Sequence, residues 1–216
     1  MPEFKVVVSD PEAGEPKPIL VKVVSSNDLA YEEQHKTGKV LPICRVNPKT
    51  AELIKSPYGI CTLRIWKNKA TKEKVNLTVK LVTDPSIPED VAVVPANFLS
   101  EKIGAETVLG ELFRANSFQI TLTDDKARVF LGKKIGDFVE ASIVGLPAGK
   151  KLLITGGSDN TGFPMLPTLQ GGVKKALLLE EPPGFHPQDK GERRRKYVRG
   201  NTITEEIVQI NTKLVS

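Results

Sequence analysis

Lys190, Arg193, Arg194, Arg195, Lys196 and Arg199 place six cations within ten residues, against the single acid Glu192. Arginine presents a flat fork of donors that grips phosphate oxygens in pairs, and lysine acts as a point charge. Cations crowded in this way repel one another, and a phosphate backbone laid along them removes that cost. Tyr197 lies inside the run, where an aromatic ring either stacks on a base or anchors the segment. Asn201, just beyond the run, and the upstream pair Lys174 and Lys175 are further RNA-contact candidates. The competing reading is a solvated charged loop. Charge density and the flanking Gly191 and Gly200 favour nucleic acid.

A second segment runs from Gly156 and Gly157 through Ser158, Asp159, Asn160, Thr161 and Gly162 to Phe163-Pro164-Met165. Glycines allow close backbone approach, so Gly156 and Gly157 are weaker candidates for meeting a phosphate with their N–H groups. The segment matches neither the Walker loop nor the dinucleotide fingerprint. A structural turn plugged by Phe-Pro is the stronger reading.

Catalytic groupings are missing from the pattern. Ser158 and Asp159 are adjacent without a histidine in any recognisable relation to them. Asp124-Asp125, Glu180-Glu181 and Glu205-Glu206 are neighbours in sequence, and neighbours on a strand point to opposite faces. Cys44 and Cys61 with the distant His35 and His186 make no tetrahedral zinc set. The cysteines read as small buried strand residues, with a disulfide as the alternative in an oxidising or hyperthermophilic setting. The expectation is a non-enzymatic protein with no cofactor, no metal and no small-molecule substrate.

The elements that must hold these groups are mostly strands. Across 216 residues the aromatic share is only 6%, so the core rests on Val, Ile and Leu, and its β-branched members favour sheets. Lys and Arg number 31 against 26 acids, a net charge of +5, which suits a polyanionic partner. The pattern predicts strands at Phe4–Val8 and Ile19–Val24, read together as an opening hairpin, then at 59–66 and 75–82. A short helix is expected over Pro95–Ile103, with Pro95 opening it and Gly104 ending it. Strands follow at Phe138–Val144, Lys151–Thr155, Lys175–Glu180 and Glu206–Val215, separated by Gly and Pro turns that suggest a small barrel or sandwich. No signal peptide or run of eighteen apolar residues is present, so a cytoplasmic protein without a membrane partner is expected.

Several blocks resemble the archaeal and eukaryotic ribosomal protein family S-six-e, the eukaryote-type protein six of the small subunit. They are FKVVVSDP (4–11), GKKIGDFVEASIVGLP (132–147), ITGGSDNTGFPM (154–165), PPGFHP (182–187), GERRRKYVRGNTI (191–203) and EEIVQINTKLV (205–215). They follow one another in the family's order. The resemblance implies a mainly β fold. A small β-barrel core would be made of the N-terminal hairpin and the C-terminal half (1–22 and 127–216). Residues 23–126 would form a β-rich inserted module containing the short helix, as in longer archaeal members. It further implies a structural constituent of the small ribosomal subunit, cytoplasmic, with small-subunit rRNA and neighbouring ribosomal proteins as partners. Tyr197 departs from the smaller residues associated with that position. The long serine-bearing C-terminal helix of eukaryotic members has no counterpart before Ser216, so its phosphorylation is not carried over. The alternative is a free RNA-binding regulatory factor on the same core, its insertion serving as a protein-interaction module.

Overall fold

The computed structural model describes residues 2–68 and 73–215. The chain divides into two compact units, Met1–Asp10 with Gln119–Ser216, and Pro11–Phe118. Strand β1 (Glu3–Ser9) opens the first unit, with Phe4, Val6 and Val8 buried and Glu3, Lys5 and Ser9 exposed.

The second unit is a closed barrel. Its elements are β2 (Ile19–Ser26), α1 (Glu33–Lys36), β3 (Ile43–Val46), α2 (Pro48–Ile54), β4 (Ile60–Asn68), β5 (Glu73–Thr83), β6 (Val91–Pro95), α3 (Ala96–Lys102) and β7 (Thr107–Arg114). The six strands close in the order β2-β6-β3-β5-β4-β7, with β7 pairing back onto β2. Pairs β2–β6 and β3–β5 are parallel and the rest antiparallel. Val21, Val23, Val46, Leu63, Ile65, Val79 and Leu112 fill the interior, and Phe98 and Leu99 of α3 pack on the same core. Helix α2 starts where Asn47 accepts the Lys49 N–H, followed by Pro48 in the first turn. Cys44 and Cys61 are buried free thiols. Strand β5 runs between them, pairing Leu81 with Cys44 and Val79 with Cys61.

The first unit resumes with β8 (Ser117–Thr123), whose first residues lie at the boundary. It continues through α4 (Asp124–Arg128), β9 (Phe138–Glu140), β10 (Lys151–Asp159), β11 (Lys174–Leu179), β12 (Arg194–Arg199) and β13 (Ile207–Val215). Five strands form a sheet in the order β8-β1-β13-β10-β9, and β11 with β12 forms a separate two-stranded ribbon. Phe4, Phe130, Leu152, Ile154, Ile203, Ile207 and Ile210 are its largest fully buried side chains.

The fold is mainly β with a barrel and short helices, and α3 falls where the Pro95 and Gly104 signals put it. The opening hairpin does not form. β1 pairs in parallel with β13, Lys5 opposite Gln209 through Ser9 opposite Lys213, while β2 closes the barrel. A period-2 pattern says which face of a strand is buried but not which strand lies beside it. The closed barrel consequently lies within 19–114, and the C-terminal half carries an open sheet. The expected strand at Phe138–Val144 ends at Glu140 and turns into a 3-10 helix.

Candidate nucleic-acid interface

The basic run is a strand, β12, held against β11 in antiparallel register from Lys174 opposite Arg199 to Leu179 opposite Arg194. Alternation puts Lys174, Ala176 and Leu178 on one face with Arg195, Tyr197 and Arg199. The other face carries Lys175, Leu177 and Leu179 with Arg194, Lys196 and Val198. Val198, Leu179 and Phe185 are buried together, with Leu166, Leu169 and Leu177 packed on them. This small apolar cluster fixes the ribbon, since a lone pair of strands is marginal in water.

Burial and carboxylate partners sort the cations, since Arg199 shares its face with the exposed Arg195 and Tyr197. Arg199 is 6% exposed. Its Nε lies 2.8 Å from the Asp159 carboxylate, and its Nη1 contacts Glu206. Burial alone would raise the Asp159 carboxyl. Arg199, the Phe163 N–H and the Thr161 hydroxyl and N–H outweigh it and hold the carboxyl at about 2. Burial acts against the Arg199 charge in the same way, and its two carboxylates more than compensate, raising its pKa further. Asn201, also buried, accepts the Gly171 N–H at 3.2 Å and donates to Gln170 Oε1 at 3.1 Å. Arg199 and Asn201 are thus turned into the protein, bracing the loop at 159–171 and offering little to a ligand. Sequence alone does not separate them from their exposed neighbours, because their partners lie about 30 to 40 residues upstream.

Arg193 and Arg194 are exposed but paired, with Glu180 at 2.8 Å and Glu192 at 2.9 Å. Such surface pairs are worth at most about 1 kcal/mol and exchange readily for a phosphate. Lys174, Lys175, Lys190, Arg195 and Lys196 are exposed, and no carboxylate among the described residues pairs with them. These five are the unneutralised charge of the ribbon and its approach.

Gly156 and Gly157 belong to β10, opposite Asn211 and Ile210 of β13, just after a register shift. A Cβ at Gly157 would strike the Gln209 carbonyl oxygen and come within 3.1 Å of the Met165 sulfur. Gly157 serves the close approach of two strands, and both glycines lie in a strand ahead of the turn. The true turn is tighter, 159–163, closed by the Asp159 carboxylate on the Thr161 and Phe163 N–H groups.

Phe163 is the site residue that sequence reasoning missed. Its ring lies 5.6 Å from that of Tyr197, tilted by 47°. Lys174 Nζ sits 4.4 Å from the Phe163 centroid and 5.6 Å from that of Tyr197. The Pro164 carbonyl accepts the Arg199 N–H and the Arg199 carbonyl accepts the Leu166 N–H, tying 163–166 alongside β12. Among the described residues no group of His, Cys, Asp and Glu is placed to hold a metal ion, and no helix is long and apolar enough to cross a membrane.

A family model described as Ribosomal protein S6e matches residues 106–216. The Small ribosomal subunit protein eS6 of Hyperthermus butylicus is 52% identical over 216 residues, covering 100% of this chain and 98% of that one. Its counterpart in Staphylothermus marinus is 51% identical over 213 residues, 98% of each chain. That of Saccharolobus islandicus is 45% identical over 217 residues, all of both chains. A model match over half of the chain, and relatives this similar from end to end, show that the chain belongs to the ribosomal protein S6e family.

Proposed function

We propose that this chain is a structural, non-enzymatic constituent of the small ribosomal subunit, in the cytoplasm, and that it binds rRNA through the β11–β12 ribbon. The observation that carries the reading is the set of exposed cations without a carboxylate partner: Lys174, Lys175, Lys190, Arg195 and Lys196. Arg193 and Arg194 join them by exchanging Glu180 and Glu192 for phosphates. Membership of a ribosomal protein family whose relatives are named as small-subunit proteins supplies the polyanion. The barrel, entered at Pro11 and left at Phe118, is read as the module inserted into the terminal unit, and neighbouring ribosomal proteins are the partners of the assembly.

Sedimentation of a native lysate through sucrose, at low salt and then at about half-molar salt, tests the assignment. The chain is expected to travel with the small subunit in both. Its loss to the light fractions at low salt would identify a free RNA-binding factor instead. Each phosphate contact adds roughly 0.7 to 0.9 to the log–log salt slope of binding. Joint Arg195→Ala and Lys196→Ala replacement should therefore lower the slope by about 1.4 to 1.8 units. An unchanged slope would mean that these side chains stay solvated in the complex.

A further inference from the structure

We infer that the face of the β11–β12 ribbon bearing Tyr197 is a stacking platform for an unpaired nucleobase, so that this site contacts a base as well as phosphates. The inference rests on the RNA-binding reading above. Tyr197 is 52% exposed and Leu178, on the same face, 64%. Ala176 stands directly opposite Tyr197, so the directly paired residue leaves the ring uncovered. Phe163 supports Tyr197 from the side at 5.6 Å. Phe163 is itself fixed, its N–H donating to Asp159 Oδ1 at 2.8 Å.

The surroundings say what lies on this face. Lys174 stands over both rings, and Arg195 projects from the same face. Neither has a carboxylate partner among the described residues. A single-stranded nucleotide brings what that arrangement lacks, a flat π-face for Tyr197 and a phosphate for Lys174 or Arg195. A protein would have to offer an apolar patch ringed by acids. The charge therefore favours RNA. Arg199 and Asp159 act as positioning residues for the platform: their pair holds the turn that carries Phe163 beside β12.

The test uses the full chain and two probes of equal phosphate number, about twelve residues long: single-stranded oligoadenylate and an abasic ribose-phosphate chain. Wild type is expected to bind oligoadenylate roughly tenfold more tightly than the abasic chain, as one stacked base allows. Tyr197→Ala should lose that preference, bind the abasic chain as wild type does, and keep the salt slope. Tyr197→Phe should retain the preference, which shows that the ring and not the hydroxyl carries it. Equal binding of both probes by wild type, or a preference that survives Tyr197→Ala, overturns the platform while leaving phosphate-based RNA binding intact. Failure of wild type to bind either probe overturns the RNA reading and the platform together. If Tyr197→Ala binds both probes normally yet enters the small subunit poorly, the ring faces a protein and the inference is wrong.

Discussion

Asp159 accepts the Phe163 N–H at 2.8 Å and the Thr161 N–H and hydroxyl at 2.9 Å each, and it pairs with Arg199. All of these donors favour the ionised carboxylate, which is why it is held at about 2 although its side chain is 0% exposed. Because the folded pKa lies below the unfolded value of 3.8, its contribution is complete above about pH 4 and fades as pH falls toward 2. The increment at stake is about 2 kcal/mol. Denaturant titrations at stepped pH should show wild type losing it over that window and Asp159→Asn lacking it. At neutral pH the variant should also be about 3 kcal/mol less stable, with Arg199 left buried beside Glu206 alone. The two thiols make the opposite case. Burial pushes Cys44 up to about 12, with nearby Cys61 adding to it, and pushes Cys61 to about 11 against the pull of the Ser56 hydroxyl. The thiolate is the reactive form, so at neutral pH iodoacetamide should modify neither cysteine in the folded protein and both in denaturant. Intact mass reads the outcome directly.

At the scale of elements, the barrel closes where β7 pairs with both β2 and β4, and Gly110 stands at that seam. A Cβ there would lie 2.9 Å from Val23 Cγ2, 3.2 Å from the Arg64 carbonyl and 3.3 Å from Leu63 Cδ1. Gly110→Ala should therefore cost about 1 to 3 kcal/mol by overpacking, measured by the urea midpoint, although alanine ordinarily suits a strand better than glycine. Strand β5 was legible in sequence because Val75, Leu77, Val79 and Leu81 alternate with polar residues, and all four face the barrel core. Helix α3 was legible from its end signals. Strand β12 was hidden because Arg194 to Lys196 carry no hydrophobic alternation, and only Val198 and the leucines of β11 betray it. The basic run announced a polyanion site, yet which cations serve it depended on burial and on the carboxylates that the fold brings to them. Gly157 was ambiguous for a related reason: glycine marks a close approach of backbones, and here the second backbone is β13.

At the scale of the whole molecule, the two units are built on opposite plans. The barrel is one uninterrupted stretch, Pro11–Phe118, whereas the terminal unit is assembled from Met1–Asp10 and Gln119–Ser216. Its sheet has β1 and β13 side by side near the middle, in parallel register. Those two strands are separated by roughly 200 residues, a closure that local pairing cannot assist. During synthesis β1 emerges first and meets β13 only after everything between them has been made, about 10 to 40 s later at ordinary elongation rates. Strand β8 arrives sooner, but two strands without the Ile207 and Ile210 side of the core make a marginal sheet. Protease digestion of chains arrested before residue 207 should leave the barrel resistant and cut within residues 3–9. Protection of β1 before β13 has emerged would contradict this order. Phe4, Val6 and Val8 would then spend that interval as an uncovered apolar row on a growing polypeptide, shielded only when the last strand of the sheet closes beside them.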